Sequence, residues 1–173
     1  MNSKLFLIVL LVISSCSTQK NSTLDLLDCV PQNSVITIKL NDQNMLENAI
    51  NKLPFLSNIL AIDTVLYKKI SAVIPEKFNH KALLSFTPVG KSEYAISFIY
   101  KPALKDSVSE VVSGKIKYNN IPVNVNIEKD TKTFIAKIEG VRIISTSKLV
   151  IENSIRNIQN NQPGIQNHYY FDL

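Results

Sequence analysis

Histidine, cysteine and glycine are all scarce in this chain of 173 residues: it has two, two and four of them. His80 and His168 have no second ligand at zinc spacing, which argues against a metal centre. The few glycines form no phosphate-cradling loop, and neither a nucleophile elbow nor a metalloprotease helix motif occurs. No block of like charges is present. The net charge of +5 is spread along the chain, whereas nucleic-acid binding calls for a clustered basic stripe. Its weak attraction would be toward anionic lipid headgroups. No repeat of 20–50 residues is apparent, and no cofactor is implied.

The one long apolar run is short of a membrane span, which needs about 20 residues. Lys4 gives a positive start, and Leu5-Phe6-Leu7-Ile8-Val9-Leu10-Leu11-Val12-Ile13 gives the apolar stretch of a signal h-region. Ile13-Ser14-Ser15-Cys16 then has the pattern of a bacterial lipobox: a branched apolar residue, two small residues, and a cysteine for diacylation. Residues 1–15 read as a lipoprotein signal peptide, Cys16 as the lipidation site, and 16–23 as a polar, flexible tether. No acidic run follows Cys16, and in Bacteroidota such a run marks surface export. The expected location is therefore the cell envelope, lipid-anchored in the outer membrane and facing the periplasm.

With Cys16 lipidated, Cys29 stands alone and no internal disulfide can form. Its neighbours are apolar at helical spacing, so it reads as a small buried hydrophobe; a reactive or intermolecular thiol is the alternative. Without Lys4, 18 of the 19 basic side chains remain against 14 acidic ones, a net +4. Residues 24–160 suit one domain with a real core.

Periodicity along that stretch predicts mixed structure. A helical turn over 24–29 stops at Pro31, and residues 34–40 alternate as a half-buried strand with Ile36, Ile38 and Leu40 on one face. Apolar stripes predict helices over 43–53 and 62–73, the second capped by Asp63 and each closed by a proline. Strands are expected over 81–87, 93–100, 114–118, 121–128, 132–138 and 141–145, with a short helix over 106–112. Asn119-Asn120 suits a tight hairpin. A last helix over 148–160, capped by Ser147, presents Ile151, Ile155 and Ile158. Residues 161–173 form a polar and then aromatic tail, which reads as a docking peptide or as a strand continuing into further sequence. The predicted class is α+β: an antiparallel sheet of about six to seven strands, with three main helices packed mostly on one face.

Ser17-Thr18-Gln19-Lys20 and Ser145-Thr146-Ser147-Lys148 have the Ser-x-x-Lys spacing of penicillin-recognising enzymes, but the accompanying motifs are missing. Asp63-Thr64-Val65 and Asp106-Ser107-Val108 match the short pattern for O-glycosylation in Bacteroidota, making Thr64 and Ser107 weak candidate acceptors.

Leu24-Asp25-Leu26-Leu27, the run from Val30-Pro31-Gln32-Asn33 through Asn41-Asp42, Leu53-Pro54-Phe55-Leu56, and the run from Gly140-Val141-Arg142 through Val150-Ile151-Glu152 carry a resemblance. Together with the lipobox they resemble the opening of large, uncharacterised flavobacterial (Bacteroidota) envelope lipoproteins. That resemblance touches most of residues 5–160. It implies no catalytic residues, and because members are usually much longer, it implies an N-terminal module of a larger lipoprotein. The reading is a non-enzymatic interaction or scaffold module bound to the membrane through Cys16, with an envelope protein as partner and no nucleic acid. The alternative is a periplasmic carrier for a lipid or other apolar ligand. An enzyme acting on peptidoglycan or glycans would need paired carboxylates in a cleft, and Asp and Glu fall mostly at turns and caps.

Overall fold

The computed structural model describes residues 24–42, 64–75, 78, 81–103, 112–128, 130–162, 164–165 and 170–172. Cys16, His80, Ser107, His168 and the helices expected over 43–53 and 106–112 lie outside these residues.

The strands are β1 (Ile36–Leu40), β2 (Ala82–Val89), β3 (Glu93–Tyr100), β4 (Gly114–Tyr118), β5 (Ile121–Glu128), β6 (Thr131–Ile138), β7 (Val141–Ser145) and β8 (Tyr170–Asp172). They form one sheet in the order β4-β5-β6-β7-β3-β2-β1-β8. All pairings among β1 to β7 are antiparallel, whereas β8 lies parallel to β1 with Ile38 opposite Phe171. The aromatic end of the chain thus adds an edge strand. Ahead of it, Ile165 is buried in the core, and a Cβ on Gly164 would collide with the backbone carbonyl oxygen of Leu27.

Turn chemistry sets the register. Asn119 and Asn120 adopt φ of 44° and 67° between β4 and β5, the left-handed conformation that two-residue hairpins need. Glu139 and Gly140, at 48° and 81°, do the same between β6 and β7. The opening turn is a 3-10 helix, Leu26–Cys29, whose Leu27 N–H donates to the Asp25 carboxylate at 3.3 Å.

Two α-helices are described, α1 (Thr64–Val73) and α2 (Lys148–Gln159). Among the described residues two helices stand where three main ones are expected, and these two cover opposite faces of the sheet. Ile70 and Val73 of α1 pack with Ile38, Leu84, Ile96 and Phe98. Ile151, Ile155 and Ile158 of α2, together with Cys29 and Val30, pack with Ile99, Val123, Ala136 and Ile143. The middle strands explain the cover on both faces. Residues 82–87 and 95–100 are buried without interruption, so both of their faces carry core, and a strand with two apolar faces needs cover on each side. Phe98 anchors the α1 side, with Phe78 edge-on at 5.0 Å and Tyr100 at 5.5 Å. Ser147 occupies the position before α2 but makes no side-chain cap; its N–H donates to Ser145 Oγ at 3.2 Å instead.

Candidate functional site

The local architecture at one end of the sheet follows from strand lengths. β7 stops at Ser145 because the chain turns out toward α2, while its two neighbours run on. Ser97 of β3 and Phe134 of β6 are both register partners of Ser145, so residues 93–95 and 131–133 project beyond it. They flank a notch about 10 Å wide, two inter-strand spacings. Thr146 closes its floor: its N–H donates to the Ile96 carbonyl at 3.0 Å, and its Oγ1 accepts from the Ile96 N–H at 3.1 Å. Since Ile96 directs both backbone groups toward β7, alternation directs those of Tyr94 into the notch. Opposite Tyr94 on β2 stands Pro88, which has no N–H to offer.

Helix α1 packs on both β3 and β6 and brings Val65, Lys68 and Lys69 over this end. The result is an open cleft of about 370 Å³ with Tyr94, Asp130 and Lys132 on its other walls. Lys69 approaches Glu93 at 3.9 Å, and the Lys132 ammonium lies 5.4 Å from the centre of the Phe134 ring. Of the exposed large apolar side chains among the described residues, Val65 and Tyr94 line this cleft and the others stand apart from it. Val65 and Tyr67 lie in the first turn of α1, Leu149 in the first turn of α2, Tyr94 and Ile127 at strand ends, and Val35 just before β1. Each is about half exposed. Half-exposed Val65 and Tyr94 beside Lys68, Lys69, Glu93 and Lys132 give the cleft a mixed apolar and charged lining.

The residues singled out from sequence are distributed elsewhere. Burial, with the negative charge of Asp28 beside it, pushes the Cys29 thiol up to about 12. Its sulfur lies 3.6 Å from the Asp25 carbonyl in a fully buried site. That is the environment of a packed hydrophobe, with the thiolate suppressed. Ser145 is also fully buried, and its hydroxyl donates to the Ile96 carbonyl at 3.1 Å and accepts from Ser97 at 2.9 Å. Lys148, meanwhile, pairs with Glu152 at 3.2 Å. The Ser-x-x-Lys spacing is therefore a β-to-α junction, and the two groups do not converge. Thr64 is exposed at the first residue of α1. Among the described residues no group of three His, Cys, Asp or Glu is placed to hold a metal ion.

Sequence reasoning missed the notch. A signal for it was present in the unequal strand lengths, with 141–145 ending well short of 93–100 and 132–138. No known protein family, curated protein or solved structure matches the chain.

Proposed function

We propose that the protein is a lipid-anchored, non-catalytic interaction module of the bacterial envelope, held through Cys16 and presenting its notched end to a protein partner. The observation that carries this reading is an open cleft, lined in part by the half-exposed Val65 and Tyr94, where β3 and β6 run on past the end of β7. The lipobox and the resemblance to flavobacterial envelope lipoproteins supply the setting, and a larger lipoprotein would carry such a module at its N-terminus. Occupation of both faces of the central strands by packed apolar side chains favours surface docking over enclosure of a ligand.

Two measurements test it. Metabolic labelling with an alkyne fatty acid should tag the chain, and Cys16→Ala should abolish both the tag and membrane fractionation. A photo-crosslinking residue in place of Tyr94 should trap one discrete partner species in cells, and Val65→Glu, on the facing wall of the cleft, should remove that species. Equal labelling of the Cys16→Ala chain would sink the anchor. A crosslinking pattern shared with a probe at Lys117, at the other end of the sheet, would sink the docking role.

A further inference from the structure

Lysines stand at both ends of the sheet, with Lys68, Lys69 and Lys132 on the notch cleft, but at the opposite end several fall in one row on one face. Lys117 is the register partner of Pro122, and Lys137 of Arg142. Val123 is opposite Ala136, and continuing that ladder by one step brings Pro122 opposite Lys137. Lys117, Lys137 and Arg142 therefore occupy one row across four strands, about 14 Å long. Alternation puts them, with Lys115, on the face of β4 to β7 turned away from α2. Lys115, Lys117 and Lys137 are exposed. Lys81 and Lys101 continue the basic edge, just before β2 and just after β3, and both are exposed too.

The carboxylates sort differently. Glu128 shares the basic face but stands at the far end of β5. Asp25, Asp28 and Glu139 stand at the same end as the basic row but toward the α2 side, where they raise the Cys29 thiol while Lys101 lowers it.

The first described residues lie at this same end. Asp25, Leu27, Lys39, Lys81 and Leu83 line one shallow cleft, so the first described residues sit where β1 finishes and β2 starts. Eight residue steps separate Cys16 from Leu24 and span at most about 29 Å. An acyl chain on Cys16 would therefore keep Leu24, and the end of the sheet beside it, within about 29 Å of the bilayer.

We infer that the end of the sheet carrying Lys117, Lys137 and Arg142 docks on anionic phospholipid headgroups, which orients the notched end away from the membrane. This inference rests on the anchoring of Cys16 for its geometry, but its chemistry is testable without the lipid. Each lysine near such a surface strengthens binding about fivefold, and the attraction is screened by salt.

The test uses the chain from residue 16 onward with Cys16→Ser, so that no acyl group contributes, in co-sedimentation with vesicles. It should bind phosphatidylglycerol vesicles, release with rising salt, and ignore phosphatidylcholine vesicles. Lys117→Glu/Lys137→Glu should weaken binding about thirtyfold or more. The charge-matched Lys91→Glu/Lys148→Glu chain, altered at the other end, should lose far less. If charge reversal disturbs folding by circular dichroism, Lys117→Gln/Lys137→Gln gives the same comparison with a smaller loss. Equal binding to both vesicle types, equal losses in the two double variants, or preference for soluble polyphosphate over vesicles would overturn the proposal. Mass spectrometry of native Cys16 reports acylation separately, so failure of the anchor and failure of the docking face are told apart.

Discussion

Cys29 illustrates how one side chain's environment decides its chemistry. The apolar neighbours at helical spacing already mark it as buried, and Asp28 and Asp25 press on it from the same turn; only Glu139 comes from a distant one that spacing does not reveal. With the folded thiol near 12 and the ordinary value at 9.0, ionisation favours the unfolded chain. The raised value therefore costs nothing below about pH 9, and stability falls as pH rises from 9 toward 12. Two outcomes follow at this scale. Iodoacetamide at pH 8 should modify the native protein far more slowly than the denatured one, at a rate set by opening of the 3-10 turn. Cys29→Ala should flatten the alkaline limb of the stability profile, measured by urea denaturation at pH 8 and pH 10.5. Rapid alkylation of the native chain would show the thiol to be accessible and its shift to be mistaken.

Elements were legible to the extent that their signals are local. Period-two alternation over 121–128 locates β5, and the stripe Ile151, Ile155, Ile158 locates α2, because both patterns are printed in consecutive residues. What escaped is the side on which each helix lies. The runs Ala82-Leu83-Leu84 and Ile96-Ser97-Phe98-Ile99-Tyr100 do not alternate cleanly, which is the mark of strands covered on both faces. Serines at 85 and 97 obscure it, since they look like solvent positions yet are fully buried, with Ser97 bonded to Ser145. The parallel pairing of β8 escaped for a related reason: register between segments more than 130 residues apart leaves no local trace. Turn chemistry, by contrast, is local and testable. Asn120 sits at φ 67°, where a β-branched residue is strained by about 1–2 kcal/mol. Asn120→Val should lower stability by that amount, whereas Asn120→Gly should leave it unchanged or slightly raised. Equal losses from both would mean that Asn120 acts through its side chain and not its backbone.

At the scale of the molecule, the two cores share one set of strands. β3 gives Ile96 and Phe98 to the layer under α1 and Ile99 to the layer under α2. A sheet stripped on either side would leave about half of the central side chains in water, so neither layer is expected to persist alone. Phe98→Ala should cost about 3–5 kcal/mol and Ile155→Ala about 2–5 kcal/mol, each from lost burial and the cavity left behind. Cooperativity is the sharper expectation. In either variant, tyrosine fluorescence and far-ultraviolet circular dichroism should report one coincident unfolding transition, because loss of one layer exposes the back of the other. Two separated transitions, with α2 melting first, would divide the molecule into a stable basic sheet and a detachable helix. That outcome would also unsettle the notch, since its floor is the Thr146 junction from which α2 departs. A single transition would mean that the bilayer-facing lysines and the notch belong to one rigid body. In that case, fixing the basic end on a membrane would fix the direction in which the notch points.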